Sequence, residues 1–334
     1  MSRGPGSTIP VVVPTTIWRE WERRHTAAVD QLTTDHLDRR RRGEPHPVVD
    51  FLFTYYRPSV ASIRRWHPGP GMLLENAHLT DRVDWRHYEP DSVRGRTGLV
   101  VDPRSVLDRC GPRITRAREV VAATAARPGA TGCFGLHEWA MLYGAGEDET
   151  RHSATPLRLT HRQIDAVVLG SRLQCTHFDA FRFFTEPAAP RNRHLLTRDG
   201  RPDNEQPACL HAGMDIYAQV AGLEAGAPGE LVVDALRAAL DAREVDMRSS
   251  PYDLSAWGLH PIPVETAEGR AEFVAYQHGW IRRTQVLRAR FLDAVTRLES
   301  AGPAAPLRSG VAGHAGVAPN NRWATSVTTP PNSA

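Results

Sequence analysis

Between Glu268 and Leu298, the residues Phe273, Tyr276, Trp280, Thr284, Leu287, Phe291, Val295 and Leu298 recur every three or four positions. That spacing matches the 3.6-residue turn and commits the whole stretch to one long amphipathic helix, whose stripe needs other helices to cover it. Weaker versions of the pattern run through the chain. Ile17 to Arg42 carries a sparse stripe of Trp18, Trp21, Ala28, Leu32 and Leu37, and ends on Arg39, Arg40, Arg41, Arg42 and Gly43. Cations suit a helix C-terminus and glycine suits its stop. Further helices are expected over Val48 to Tyr56, Ile114 to Ala126, Cys133 to Tyr143, Pro207 to Ala221 and Glu230 to Met247. One more starts at Thr160, with Gln163 as capping-box partner, and is expected to run to Glu186. The expected fold is therefore mainly α: a single large helical domain over 17–299, with a loop-rich segment near 68–112 and a short strand at Gly98 to Asp102. Residues 1–16 read as a flexible leader, and 300–334, rich in Ala, Gly, Pro and Ser, as a disordered tail.

Composition removes whole classes of chemistry. All 41 basic residues are arginine, and the 334-residue chain contains no lysine. That excludes a side-chain Schiff base, a pyridoxal-phosphate lysine, a P-loop and the ATP-pairing lysine of a protein kinase. The net charge of +3 permits an anionic partner without requiring one. Ile9 to Thr16 is too short and too proline-interrupted for a signal or membrane segment, and no later apolar run reaches ~18 residues. The expectation is a cytoplasmic protein without membrane contact. In that compartment Cys110, Cys133, Cys175 and Cys209 are expected as free thiols. Nothing in the sequence sets the oligomeric state.

Three cysteines head polar clusters inside apolar surroundings: Cys133 with His137, Glu138 and Trp139; Cys175 with His177 and Asp179; Cys209 with His211 and Asp215. Buried charge is costly unless paired, and a carboxylate so placed is a candidate general acid or base. His211 and Asp215 are four apart and share a helix face. His177 and Asp179 are two apart and diverge on a helix, converging only if the stretch is extended or at a helix end. One reading is a polar site fed by several helices. The other is structural ion pairing to Arg182, Arg172 and Arg248. No C-x-x-C or H-E-x-x-H pair is present, so no cofactor is called for by the usual zinc motifs. A metal ion held by His and carboxylates from separate helices stays possible. Tyr55, Tyr56 and Arg57, with Arg64, Arg65, Trp66 and His67, interleave aromatics and arginines, a mix suited to bases and phosphates or to a packed aromatic cluster. Asp246 to Asp253, including Tyr252, reads as a helix end that completes a pocket or caps a turn.

Taken together, several long motifs resemble a family of actinobacterial and cyanobacterial proteins known as 3-methyladenine DNA glycosylases. They are His46-Pro-Val-Val-Asp-Phe-Leu-Phe-Thr-Tyr-Tyr56, Arg65-Trp-His-Pro-Gly69, His177-Phe-Asp-Ala-Phe-Arg-Phe-Phe184, Glu205-Gln-Pro-Ala-Cys-Leu-His-Ala-Gly-Met-Asp215 and Asp246-Met-Arg-Ser-Ser-Pro-Tyr-Asp-Leu254. The resemblance spans about Trp18 to Leu298. The chain lacks the Leu-Pro-Gly-Val-Gly-like hairpin of helix-hairpin-helix glycosylases; His67-Pro-Gly-Pro-Gly71 is a loose echo. What the resemblance implies is a monofunctional enzyme that binds duplex DNA, flips an alkylated purine and hydrolyses its glycosidic bond. Asp179 would be the first candidate carboxylate, then Asp215 and Glu138, with His177 and His211 beside them. Trp139, Tyr56, Trp66 and Tyr252 would line the base pocket. Arg39, Arg40, Arg41, Arg42, Arg64 and Arg65 would hold phosphates. Without lysine, water and a carboxylate would have to do the chemistry. The alternatives are a metal-dependent small-molecule enzyme using the interior clusters, or a non-catalytic helical interaction protein.

Overall fold

The computed structural model describes residues 9–146 and 155–301. Among these the chain is mainly α-helical, with one small sheet. In chain order the elements are β1 (Val11–Val13), α1 (Thr15–Arg42), α2 (Val49–Tyr55), α3 (Val60–Ile63), β2 (Met72–Glu75), β3 (Tyr88–Val93), β4 (Arg96–Val101) and α4 (Pro103–Ala126). They continue with α5 (His137–Ala140), α6 (His161–Leu169), α7 (Phe178–Phe181), α8 (Arg201–Asn204), α9 (Leu210–Ala221), α10 (Gly229–Arg248) and α11 (Ala267–Ala301). The expected tail lies outside the described residues from 302 onward, while Ser300 and Ala301 still belong to α11.

The periodic stretches fold as the apolar spacing requires. In α11, Phe273, Trp280, Leu287, Phe291, Val295 and Leu298 are buried along one side, and the helix lies against α4 and α9. Eight of the twelve residues of α9 are buried because α9 and α10 pack closely in the main apolar core. Gly213 makes that core possible: a Cβ there would stand 2.1 Å from the Trp280 ring. Arg39–Arg42 end α1, and Gly43 closes it in the left-handed region at φ 71°. Thr160 and Gln163 form the expected capping box.

Four elements differ from the sequence reading. Val11–Val13, expected in the leader, pairs in parallel with β2 at one edge of a sheet of order β1-β2-β4-β3. α4 starts at Pro103, well before Ile114, capped by the Asp102 side chain and carrying Pro112 inside it. The apolar run Cys133 to Tyr143 forms turns around the four-residue α5 instead of a full helix. The helix from Thr160 stops at Gly170, and a separate short α7 follows His177. The last two breaks create the site. They take His137 and His177 off long helices and leave them free to turn inward.

Candidate functional site

α9 supplies His211 and Asp215, and the C-terminal end of α10 supplies Arg243 and Asp246. α5 adds His137 and Glu138, reached through Phe134 and Gly135 at φ 45° and 68°. The left-handed turn brings the backbone against the end of α10: a Cβ on Gly135 would meet Ser249 Oγ at 2.4 Å. His177 is the extended residue before α7, so its ring points inward while Asp179 faces out, as its place at a helix end allows.

These groups make two adjoining triads. In the first, His137 Nε2 lies 3.0 Å from Asp246 Oδ1, and His211 Nε2 lies 3.8 Å from Asp246 Oδ2. In the second, His177 Nε2 lies 3.1 Å from Asp215 Oδ2 and 3.6 Å from Glu205 Oε1. The potential ligand atoms of each triad all fall within 4.8 Å of one another. The imidazoles connect the triads, with centroids 4.5 Å apart for His137 and His211 and 5.4 Å for His177 and His211. Although His211 and Asp215 share α9, they serve different triads.

Each triad has its own arginine, and the two are placed differently. Arg243 donates from Nη1 to Asp246 Oδ2 at 2.8 Å and to Glu138 Oε1 at 3.1 Å, with its guanidinium over the Phe51 ring. It approaches Asp246 from one side and leaves Oδ1 toward His137. Among the described residues neither His137 Nε2 nor Asp246 Oδ1 has a well-aligned hydrogen-bond partner, although the two face each other at 3.0 Å. Arg201, by contrast, enters the second triad: Nε donates to Glu205 Oε1 and Nη2 to Asp215 Oδ2, each at 2.5 Å. Tyr56 donates to the other Asp215 oxygen at 2.8 Å.

Burial and charge set the protonation states. Burial pushes the His211 imidazole down to about 3, so that ring is neutral. Burial also opposes a charged His177, but Glu205 and Asp215 outweigh it and raise that ring above its ordinary value. Burial alone would raise Asp215 and Asp246. His177, Arg201 and Tyr56 hold Asp215 well below the usual carboxylate range instead, as His137, His211 and Arg243 do for Asp246.

Two spaces border the constellation. A cavity of about 20 Å³ beside His137 and His211, lined by Cys133, Cys175, Cys209 and Phe273, has room for about one water. Burial raises all three thiols, Cys175 to about 12, so they are un-ionised. A cleft of about 470 Å³ opens on the other side, walled by Tyr55, Tyr56, Asp179, Arg201 and Asp215.

The remaining sequence candidates are dispersed. Of the expected base-pocket residues only Tyr56 borders the cleft. Trp139 is fully buried with Nε1 donating to Ser249 O, Tyr252 is buried in the main core, and Trp66 is buried in a separate cluster with Val13, Trp18 and Leu74. Asp179 pairs with Arg182 at 3.1 Å on the cleft wall, as the ion-pair alternative anticipates for that residue. The anticipated partner Arg248 instead faces Glu244, Glu272 and His260 O. Among the candidate phosphate ligands, Arg64 is bidentate to Asp30, Arg41 pairs with Asp38, Arg42 with Glu44, Arg39 approaches Asp50, and Arg65 lies over the Trp85 ring. Arg40 borders a surface hollow with His36 and Asp50. Asp246, read in the sequence only as part of a helix end that completes a pocket or caps a turn, proves to be the carboxylate of the first triad; Glu205 and the flanking Arg201 and Arg243 were not candidates. Asp246 and Glu205 stand in long motifs; the two arginines sit four and three residues from Glu205 and Asp246, a spacing that surface pairs share and that does not single them out among 41.

No helix among the described residues is long and apolar enough to cross a membrane. Comparison of the chain with protein-family models, curated proteins and solved structures finds no match.

Proposed function

We propose that the chain is a metal-dependent enzyme acting on a small molecule, with one divalent ion held by His137, His211 and Asp246. The observation that carries this reading is the buried donor set, one ligand atom each from His137, His211 and Asp246 within 4.8 Å of one another, in which His137 Nε2 and Asp246 Oδ1 face each other at 3.0 Å without a well-aligned hydrogen bond. Buried polar atoms are rarely left so, and a bound ion between them is a standard reason. Charge supports it. Glu138, Glu205, Asp215 and Asp246 set four carboxylates against two guanidiniums, leaving two formal negative charges in the interior. A proton on His177 offsets one; a divalent ion offsets both. Two imidazoles and a carboxylate suit Zn²⁺, Fe²⁺ or Mn²⁺ and leave positions open for water and substrate. The ion would supply Lewis acidity and a more acidic bound water. Arg243 then serves to fix and orient Asp246, as partners of metal carboxylates do.

The test is metal analysis of purified protein and calorimetric titration of the metal-free form with Zn²⁺, Mn²⁺ and anaerobic Fe²⁺. The expected result is one ion per chain, with affinity lowered at least tenfold in Asp246→Asn and in His211→Ala. A folded wild-type chain that binds none of the three rejects the reading.

The glycosylase reading is kept as a second proposal on one observation: Asp215, held ionised, borders a cleft that Tyr55 and Tyr56 also wall. Asp215, in place of Asp179, becomes the carboxylate to test. Release of 3-methyladenine from alkylated duplex DNA, abolished in Asp215→Asn, would support it. No release by metal-loaded or metal-free wild type would end it.

A further inference from the structure

We infer that His177, Glu205 and Asp215 form a second divalent-cation site that Arg201 occupies as a latch, and that a carboxylate ligand in the cleft releases the latch. This rests on the preceding reading of the first triad as a one-ion site.

The second triad has the donor set of a metal site, with its ligand atoms within 4.8 Å and all three residues buried. What differs from the first is its tenant. The Arg201 guanidinium sits on the same two oxygens, Glu205 Oε1 and Asp215 Oδ2, that a cation would take. Arg201 is not locked in. It stands on the four-residue α8, its side chain is 21% exposed, and it forms part of the cleft wall. The His177 ring is also lightly tethered, since Nδ1 makes no hydrogen bond among the described residues.

Neither half of the exchange is favourable alone. A divalent ion entering with Arg201 in place meets a guanidinium on its ligands. An anion drawing Arg201 outward strands two buried carboxylates, which is strongly destabilising. Together the two events compensate: the ion replaces the guanidinium between the carboxylates, and the guanidinium pairs with the anion in the cleft. Linkage then requires each ligand to tighten the other. The cleft also indicates the anion's shape. Tyr55, Tyr56, Ile114 and Val120 offer aromatic and aliphatic walls, and Arg116 lines the same cleft as Arg201. That combination fits a carboxylate on a planar apolar body, because guanidinium forks match carboxylates bidentately.

The probe is benzoate, and the readout is Mn²⁺ bound per full-length chain after equilibrium dialysis, with the electron paramagnetic resonance spectrum of the bound ions. Wild type is expected to hold one Mn²⁺, and two with saturating benzoate, the second giving a spin-coupled spectrum. Arg201→Met, which keeps the apolar stem, should hold two without benzoate, and adding Glu205→Gln should return it to one. Mn²⁺ should lower the benzoate Kd at least fivefold. Wild type that stays at one ion with benzoate overturns the latch, whether or not Arg201→Met folds. A folded Arg201→Met chain that stays at one overturns the second site. The Asp246→Asn chain separates the two readings: the first-site reading predicts no ion without benzoate, and the latch predicts one with it.

Discussion

At the residue scale, the site is held by arginines that close buried charge from two sides. Arg243 is 1% exposed and is shared between Glu138 and Asp246, which are themselves buried. Arg243→Met keeps the volume and removes the charge. It should destabilise the metal-free protein by about 3–5 kcal/mol in urea unfolding, the cost of breaking a buried ion pair from one side. A loss below about 1 kcal/mol would mean that the carboxylates find other partners. The histidines predict an acid-side response elsewhere. Burial, and then the nearby Arg82, pushes His67 down to about 3, while the unfolded ring titrates near its ordinary value. The unfolded state therefore binds the extra proton, and stability is complete above pH ~6.5 and lost as the pH falls toward 3. Between pH 6.5 and 5 the loss from His67 alone is about 2 kcal/mol, and His67→Gln should flatten the pH dependence of the unfolding free energy, measured by urea titration, by that amount. The His-bearing clusters were legible because ionisable residues in apolar runs stand out. Arg201 and Arg243 were not: their four- and three-residue spacings to Glu205 and Asp246 are shared with exposed surface pairs such as Arg24–Glu20 and Arg237–Asp234, and the Arg243 to Glu138 pairing spans 105 residues.

At the element scale, what could be read was periodicity, and what could not was interruption. α1, α10 and α11 appear where the apolar spacing places them. The run from Cys133 to Tyr143 has the composition of a buried helix, yet the positive φ values at Phe134 and Gly135 break it, and only tertiary packing against Ser249 demands them. Pro112 hid the first half of α4, because a proline reads as a boundary where the helix in fact continues through it. The close approach of α9 to α11 offers a direct check. Gly213→Ala places a methyl group into the Trp280 ring and should cost on the order of 1–3 kcal/mol in chemical denaturation. Because α9 carries both His211 and Asp215, the same change should weaken Mn²⁺ binding measurably. Unchanged stability together with unchanged binding would show that the two helices part without disturbing the triads.

At the scale of the whole molecule, the mainly α class followed from the long apolar stripes, whereas the parallel β1–β2 edge did not, because three consecutive valines offer no period to read. The two triads draw on α5, the segment before α7, the segment after α8, α9 and α10, so an ion there would tie together chain segments that meet only in the folded state. Metal should therefore act as a folding ligand. At an ion concentration 100 times Kd the stabilisation is about 2.7 kcal/mol, and stripping the ion with a chelator should lower Tm by several degrees in calorimetry. Restoring the same ion should recover it. A Tm indifferent to chelation in a protein shown to contain metal would place that metal elsewhere.

The small cavity beside His137 and His211 has a use beyond holding a water. Its walls carry Cys133, Cys175 and Cys209, all un-ionised and sheltered. Such thiols stay inert toward a soluble alkylating reagent until the surrounding packing opens and solvent admits the thiolate. The time course of their alkylation is thus a clock for breathing of the interior, one that runs without a substrate and counts how often the site is visited from outside.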